Sequence, residues 1–368
     1  MTEQLGDDKL EASPRQIKYE KRNMLKRMSS KTPILVSGFL VVLAVIGISA
    51  SSSNWGFTLI SEPPKPPLKV GTNIWPGYEP LYLARELGYY ENGLIRLVEY
   101  SSATQVIRAY RNNAIQVAAL TMDEVLLLLE NGLDPRVILV MDISNGADAI
   151  LAKPKIKSLK DLRDHKIGVE STALGAFFIN QALSSAGLLP SDVTIISSEI
   201  NEHERMFVAG EFDAVVTFEP VRSRLLVSDT HQIFSSSDIP GEIVDVLVIA
   251  KETLENSPEA VNALLKGWFK ALDYFNARPQ EAALLMARRL RVSPEEVLVS
   301  YKGMELPNLE ENLKLMVGPQ APLKKTATKL ANVMLRNKLL QKEVIPTDFI
   351  YPSALENIET LVSKASLN

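Results

Sequence analysis

The chain has 368 residues, no cysteine and a formal net charge of −4. Its length suits two domains, and its 46% hydrophobic and 23% charged residues exclude both wholesale disorder and a many-helix membrane bundle. The missing cysteine excludes disulfides, thiolate chemistry and lipid attachment through cysteine, and the acidic balance argues against a nucleic-acid partner.

The first predicted element is a membrane span. No charged residue occurs from 33 to 60, and the stretch 33–50 consists mainly of Ile, Leu, Val, Ala and Gly, which nearly suffices to cross a bilayer. Six Lys and Arg residues stand between 18 and 31, and such flanks stay in the cytoplasm. We predict a cytoplasmic lead (1–32), a single transmembrane anchor in the inner membrane (33–52) and a periplasmic or otherwise extracytoplasmic body. A cleaved signal peptide is the alternative, because small residues follow the span.

A Pro- and Ser-rich linker (53–67) comes next. Four of the five residues from 63 to 67 are prolines. Such a run favours an extended polyproline spacer. We therefore predict a stalk that holds the body of the protein away from the membrane.

From residue 68, short β-rich segments alternate with amphipathic helices. This alternation is typical of α/β domains with mostly parallel sheets. The predicted strands are 68–74, 95–100, 116–120, 136–142, 166–169, 193–197, 214–217 and 245–250. The predicted helices between them are 80–87, 103–111, 123–131, 173–186, 202–209 and 220–227. Beyond residue 250 the pattern is helical, with Ser257 and Ser293 placed as N-caps and Glu296 in capping-box position.

Six stretches, in order, resemble one protein family. They are VGTNIWPGYEPLYLARELGYY (70–90), AALTMDEVLLLLENG (118–132), ISNGADAILAK (143–153), KSLKDLRDHKIGVESTALGAFFINQALSSAGLL (157–189), EFDAVVTFEP (211–220) and DIPGEIVDVLVI (238–249). In these stretches the chain resembles the nitrate/sulfonate/taurine-type substrate-binding proteins of ABC importers, which are similar in turn to thiamine-pyrimidine precursor binding proteins. The resemblance covers roughly residues 68–350.

The resemblance implies a bilobed periplasmic-binding-protein fold of type II, whose lobes close on a ligand by hinge motion. The chain would cross between lobes near 149–153 and 245–249. Lobe 1 would comprise 68–150 and 246–368, and lobe 2 would comprise 151–245. The resemblance also implies a small-molecule ligand, an ABC permease and its ATPase as partners, and no cofactor.

Candidate ligand-binding residues follow the predicted strands, because ligands of open α/β sheets bind beyond the carboxyl ends of strands. In the first lobe they are Trp75, Tyr78, Thr121, Asp123, Ser144, Asn145 and Asp148. In the second lobe and at the second crossing they are Glu170, Thr172, Glu219 and Asp245. The Trp75 indole offers a face for a ring or a cation. The structural alternatives are core packing for Trp75, helix capping for Asp123 and a turn at Asn145.

The candidate carboxylates favour a particular ligand chemistry. If Asp123, Glu170, Glu219 and Asp245 face one cleft, nitrate or a sulfonate is repelled by partly desolvated negative charges. A ligand rich in N–H donors fits better. We predict an amine, an aminopyrimidine or another cationic heterocycle.

Two other functional classes stay open. One is a ligand-sensing receptor without transport. The other is an enzyme of the chorismate-dehydratase kind, which would need only carboxyl and hydroxyl groups in a cleft. The sequence offers no catalytic motif, and the three histidines, His165, His203 and His231, have no metal-ligand spacing and are predicted to be solvated or capping residues.

Overall fold

Two β-sheets form the framework of the protein in this computed structural model, which describes residues 66–90, 93–227, 229–346 and 349–365. The strands are β1 (Leu68–Thr72), β2 (Ile95–Glu99), β3 (Val117–Thr121), β4 (Pro135–Ser144), β5 (Asp148–Ala152), β6 (Lys166–Val169), β7 (Thr194–Ser197), β8 (Ala214–Phe218), β9 (His231–Ser235), β10 (Val244–Ala250) and β11 (Met304–Glu305). The first sheet has the order β11-β4-β10-β3-β1-β2, and the second has the order β7-β6-β8-β5-β9.

Both sheets are mixed, so the expectation of mostly parallel sheets is wrong. In the first sheet β1 is parallel to β2 and β3, whereas β10 is antiparallel to β3 and β4. In the second sheet β6 is parallel to β7 and β8, whereas β5 is antiparallel to β8 and β9. The reason is that β5 and β10 carry the chain from one sheet into the other. Each enters its new sheet against the direction of the strands that helices connect in parallel.

The chain passes between the sheets twice, once between β4 and β5 and once between β9 and β10. Strand β5 already belongs to the second sheet, although its residues were predicted to form the first crossing. Its five residues are all buried, and β8 and β9 lie on either side of it. The result is two α/β lobes joined by two crossings.

Thirteen α-helices occur in the described residues. They are α1 (Glu79–Glu86), α2 (Ala103–Arg111), α3 (Met122–Glu130), α4 (Ala173–Ser185), α5 (Ile200–Val208), α6 (Val221–Leu226), α7 (Lys251–Asn256), α8 (Pro258–Ala277), α9 (Pro279–Leu290), α10 (Pro294–Tyr301), α11 (Leu309–Met316), α12 (Pro322–Arg336) and α13 (Ser353–Ala365). The predicted capping box of α10 is confirmed, since Ser293 Oγ accepts from the Glu296 amide at 3.2 Å and Glu296 accepts in return from the Ser293 amide at 2.7 Å. Ser257 is the N-cap residue of α8 as predicted, but its side chain makes no capping bond.

The C-terminal helices extend the core of the first lobe. The side chain of Trp268 on α8 is fully buried. Gly267 beside it lies so close to Tyr90 that an added Cβ would come within 2.3 Å of the ring. This close approach packs α8 against the segment that follows α1 and so holds the first lobe's helices in place.

No helix in the described parts of the chain is long and apolar enough to cross a membrane. The predicted cytoplasmic lead (1–32), transmembrane anchor (33–52) and all but the last two residues of the predicted linker (53–67) lie outside the described residues.

His203 on α5 is buried, contrary to the prediction of a solvated or capping histidine. Its Nε2 lies 3.3 Å from the Ser198 carbonyl oxygen and its Nδ1 lies 3.3 Å from Thr217 Oγ1. The carbonyl can only accept, so Nε2 carries the proton and Nδ1 accepts from the hydroxyl. Burial lowers the pKa of His203 to about 4, because the charged form is poorly solvated there.

This depressed pKa predicts a measurable loss of stability in acid. The contribution of His203 is fully present above its unfolded pKa and is lost as the pH falls from about 6.5 toward 4, by about 3 kcal/mol. A His203→Gln variant keeps a donor for Ser198 but does not titrate. Between pH 6.5 and 4.5 in denaturant unfolding, the free energy of unfolding of the variant should change by about 2 kcal/mol more in the stabilising direction than that of the wild type, because the carboxyl groups contribute equally to both proteins. Equal changes in the two proteins would contradict the buried neutral histidine.

Candidate functional site

A cleft opens where the carboxyl ends of β1, β3, β6 and β8 face one another across the two lobes. It contains about 360 Å³ of space between its atoms, counting its open mouth. The described residues that line it are Asn73, Trp75, Tyr78, Ala103, Thr121, Glu124, Asp148, Glu170, Thr172, Leu174, Phe218 and Asp245. Four of these twelve are acidic, and none is Lys, Arg or His.

Trp75 is held rigidly on the first-lobe wall. Its Nε1–H donates to Asp142 Oδ2 at 3.0 Å, and its ring meets Phe218 of the second lobe edge to face, with centroids 5.6 Å apart. Gly77 makes this arrangement possible, because a Cβ there would lie 2.0 Å from Asp142 Oδ2 and 2.4 Å from Trp75 Nε1. The indole is therefore a fixed surface of the cleft and not a mobile side chain.

Tyr78 and Asp245 form the floor of the cleft beside Trp75. The Tyr78 hydroxyl donates to Asp245 Oδ1 in a short hydrogen bond. Asp245 lies on β10 opposite Asp142 of β4 in the antiparallel register. Burial raises the pKa of Asp245 well above its usual value, and the neighbouring Asp142 raises it further.

Glu124 enters the cleft from the first turn of α3. The Thr121 amide donates to Glu124 Oε2 at 3.1 Å, so one carboxylate oxygen caps the helix. Burial, then repulsion from Asp123, raises the pKa of Glu124 to about 8. The helix N-terminus thus fixes a carboxyl group where its ionised form is weakly solvated.

The second-lobe wall carries two further acids. Asp148 begins β5 opposite Phe218, and Glu170 follows β6 immediately before α4. Burial raises the pKa of Asp148 to about 7 and that of Glu170 to about 8. Thr172 between Glu170 and the helix is its N-cap, with Oγ1 accepting from the Gly175 amide at 3.0 Å. The lobes also touch directly, because Thr104 Oγ1 donates to the Ser171 carbonyl at 3.2 Å.

Unpartnered acceptor oxygens mark where a ligand would bond. Asn73 Oδ1, Asp148 Oδ2 and Glu170 Oε1 are buried in the cleft lining and have no hydrogen-bond partner. Their residues are only 6%, 4% and 7% exposed. Buried acceptors without donors are costly, so the cleft is chemically complete only with a molecule that donates several hydrogen bonds. No group of three or more described acidic or histidine side chains is arranged to hold a metal ion.

Seven of the predicted site residues lie on the cleft: Trp75, Tyr78, Thr121, Asp148, Glu170, Thr172 and Asp245. The other four lie elsewhere. Asp123 is buried beside Glu124, and Ser144 Oγ bonds Ser236 Oγ at 2.8 Å. Asn145 is exposed and donates to Glu305 at 3.1 Å.

Glu219 needs a separate correction, because it was counted among the cleft carboxylates. Its side chain is buried and turned toward its own helix α6. It accepts from Arg222 Nη1 at 2.9 Å and from the Ser223 amide at 3.1 Å. Its charge is therefore neutralised inside the second lobe.

Sequence reasoning missed five lining residues and one residue behind them. The lining residues are Asn73, Ala103, Glu124, Leu174 and Phe218, and the one behind is Asp142. Glu124 was detectable in principle, since it stands one position after the predicted Asp123 and at capping-box distance from Thr121. Phe218 contacts Trp75 only because of how the two lobes meet, and no local sequence pattern predicts that arrangement.

The chain is similar to binding proteins in sequence and in fold. A binding protein of Brucella abortus (strain 2308) is 26% identical over 173 residues, which is 46% of this chain and 54% of that protein, so the chain spans about half the length of the curated relatives it matches. The alkanesulfonate-binding protein SsuA from Xanthomonas axonopodis pv. citri, solved with bound MOPS, superposes with a TM-score of 0.68 at 16% identity, covering 79% of this chain and 99% of that one. The desulfurization enzyme DSZB superposes with a TM-score of 0.61 at 16% identity, covering 81% of this chain and all of that one.

These superpositions confirm the bilobed α/β periplasmic-binding-protein fold. The family model described as NMT1/THI5 like matches residues 75–282. This range includes both walls of the cleft and exceeds half of the chain. The chain therefore belongs to the NMT1/THI5 like family.

Proposed function

We propose that this protein is the extracytoplasmic solute-binding component of an ABC importer, and that it binds a small cationic or N–H-rich molecule, such as an amine or an aminopyrimidine, between its lobes. The observation that carries the proposal is the set of unpartnered acceptor oxygens in a cleft whose described lining has four acids and no basic side chain. Donor groups on a ligand would satisfy those oxygens, and a positive charge would stabilise the ionised carboxylates.

The alkanesulfonate named for the structural neighbour is a poor match to this cleft. A sulfonate presents only acceptor oxygens, and it would face Glu124, Asp148 and Asp245 at short range. Each of these carboxyl groups that is ionised would repel the sulfonate strongly, because water is largely excluded, and an anion beside them would hold them protonated. The N-terminus of α4 could attract an anion, but Glu170 stands beside it. We infer that the two proteins share a fold and differ in ligand charge.

The transport partners belong to the same proposal. An ABC permease and its ATPase would receive the ligand, and residues 33–52 would anchor the protein in the inner membrane. The uncharged apolar stretch and the basic residues before it support the anchor. Reconstitution with a permease and ATPase distinguishes import from a receptor that only senses ligand, because a sensor would give no ligand uptake into vesicles.

Catalysis is the second candidate, since DSZB carries an enzyme on the same fold. The chain has no cysteine, and the described cleft lining has no histidine, so carboxyl groups would have to act as acid and base. Binding needs no such assumption. Incubation with the binding panel below and with chorismate, followed by mass spectrometry, separates the two: a binding protein returns every compound unchanged.

Ring-matched compounds of opposite charge test the ligand class. Benzylamine, phenylmethanesulfonate and benzyl alcohol share one ring, and a panel of alkylamines, aminopyrimidines, taurine and nitrate extends the comparison. Titration calorimetry with ligand-stripped protein at pH 7.5 should detect cationic or aminopyrimidine compounds and none of the anions. Binding of taurine or a sulfonate, with no binding of any amine or aminopyrimidine, would overturn the proposal.

A Glu170→Gln variant should weaken binding of the best cationic compound by roughly 10- to 100-fold, because a charge-assisted hydrogen bond becomes a neutral one. The matched control is Glu202→Gln, a half-buried acid of the same lobe that lies outside the cleft lining and pairs with Arg205. In calorimetry the control variant should keep the wild-type affinity, so that the two variants differ by the full 10- to 100-fold. An unchanged affinity in Glu170→Gln would remove Glu170 from the site.

A further inference from the structure

Two buried carboxyl groups face each other directly beneath the cleft. Asp142 on β4 and Asp245 on β10 are opposite residues of neighbouring antiparallel strands, and they are 0% and 2% exposed. Asp245 lines the cleft, whereas Asp142 lies behind it and holds the Trp75 indole. Asp142 Oδ1 has no hydrogen-bond partner among the described residues. Neither carboxyl group forms an ion pair with a described Lys, Arg or His.

The groups around this pair are themselves neutral or acidic. Asp142 accepts from the Trp75 indole, and its charge also acts on Asp148, Tyr78 and Tyr301, in addition to Asp245. Asp245 faces the Tyr78 hydroxyl, Asp148 and Glu124. None of these groups is a Lys, an Arg or a His.

Two adjacent carboxylates in a dry environment do not both ionise. Burial raises the pKa of Asp142 to about 7 and raises that of Asp245 still more clearly. A single proton between them converts mutual repulsion into a hydrogen bond. The empty pair is therefore singly protonated near neutral pH.

We propose that Asp142 determines the charge selectivity of the cleft: with Asp245 it holds one shared proton when the cleft is empty and releases that proton when a cation binds beside Asp245. This inference rests on the proposed cationic ligand. The O–H bond of the shared proton breaks, the proton passes to bulk buffer, and the positive charge of the ligand takes its place. The charge of the buried cluster stays constant. A neutral molecule of the same shape leaves the proton in place.

Asp142 thus acts as a positioning residue through two neighbours. It fixes Trp75 at one side of the ligand, and it sets the charge of Asp245 at the other. Selection would come from proton displacement and not from contact with Asp142. Cation affinity should therefore rise with pH through the titration of the pair, while the affinity for a neutral analogue should stay flat.

An Asp142→Asn variant removes the shared proton while keeping the shape of the side chain. The asparagine amide oxygen can still accept from Trp75, and its NH₂ group can donate to Asp245 in place of the shared proton. Asp245 then loses the repulsion from Asp142, so its pKa falls, although burial still keeps it raised. Calorimetry of benzylamine binding in buffers of different ionisation enthalpy gives the number of protons released. The variant should release about one proton fewer than the wild type at pH 7. Affinity for neutral benzyl alcohol should stay within about twofold, whereas a merely structural defect would weaken both compounds.

A second measurement needs no ligand and keeps the two proposals apart. Unfolding of the empty protein between pH 6.5 and 8.5 should depend less on pH in Asp142→Asn than in the wild type, and the surface control Asp134→Asn should behave as the wild type. Equal pH dependence, or unchanged proton release, would overturn the shared proton while leaving cation binding intact. Failure of benzylamine and every other amine to bind would instead overturn the proposed ligand class, and proton release with it.

Discussion

The free energy of unfolding of the empty protein should fall as the pH rises from 6.5 to 8.5. The cause is the set of cleft carboxyl groups that burial keeps protonated. The pKa values of Glu124 and Glu170 are raised to about 8 and that of Asp148 to about 7. In the unfolded chain the same groups ionise near pH 4. The summed loss should be on the order of 5 kcal/mol.

The sign follows from proton counting. A carboxyl group whose folded pKa is raised contributes stability that is fully present below its unfolded pKa and is lost as the pH rises through the folded pKa. The window begins at pH 6.5 because His203, with a pKa near 4, is then neutral in the folded state and half-neutral in the unfolded state. Its opposite contribution above pH 6.5 is only about 0.4 kcal/mol, and the rest of it falls at lower pH.

Urea unfolding of ligand-stripped protein at half-unit pH steps measures this loss. Glu170→Gln provides the control, because it removes one titrating group and should reduce the slope. A saturating cation should also flatten the profile, since it stabilises the ionised carboxylates of the folded state. A stability that is constant or rises across the window would mean that the cleft carboxyl groups are already ionised.

Gly77→Ala should lower both the stability of the protein and its affinity for a cationic ligand. The new Cβ would lie 2.0 Å from Asp142 Oδ2 and 2.4 Å from Trp75 Nε1, and both groups are buried. Neither can move without breaking their mutual hydrogen bond. We expect a loss of about 3 kcal/mol in stability from overpacking. Displacement of Trp75 and Asp142 together should weaken binding of the best cationic compound by roughly 100-fold.

Gly132→Ala is the control for general instability. Gly132 follows α3 with φ +78 and has open space around its Cβ position, so the change strains the backbone without touching the cleft. It should cost about 1–2 kcal/mol and leave affinity unchanged. If Gly77→Ala behaved the same way, the indole and Asp142 would not be part of the binding site.

Strands and helices whose own residues carry a clear hydrophobic pattern were predicted correctly from the sequence. Strand β6 (Lys166–Val169) and helix α2 (Ala103–Arg111) have the bounds expected from the sequence. Strands β5 and β9 were missed for a physical reason. The β5 segment is short and uniformly apolar, and its partners β8 and β9 lie about 65 and 85 residues further along the chain. Nothing within the segment distinguishes a strand from a crossing.

The sequence predicted where the ligand site lies but not all of the residues that line it. Strand ends brought Trp75 and Glu170 to the cleft as expected. Glu219 also follows a strand, but Arg222, three residues later in the first turn of α6, turns its carboxylate inward. Glu124, in the first turn of α3, lines the cleft instead of Glu219. Which of several acids near a strand end faces a ligand depends on side-chain pairing, and the strand pattern does not encode it.

The edge-to-face contact between Trp75 and Phe218 has a consequence for how fast a solute is captured. The two rings come from opposite lobes and touch when the cleft is shut. Separating them exposes apolar surface to water and forfeits roughly 1 kcal/mol of ring interaction. The contact therefore stabilises the shut form by about that much free energy before any solute arrives, and a solute enters only when the two rings have separated. The association rate constant would then depend on how often the Trp75 and Phe218 rings separate. A smaller residue in place of Phe218 should speed both association and dissociation of the ligand.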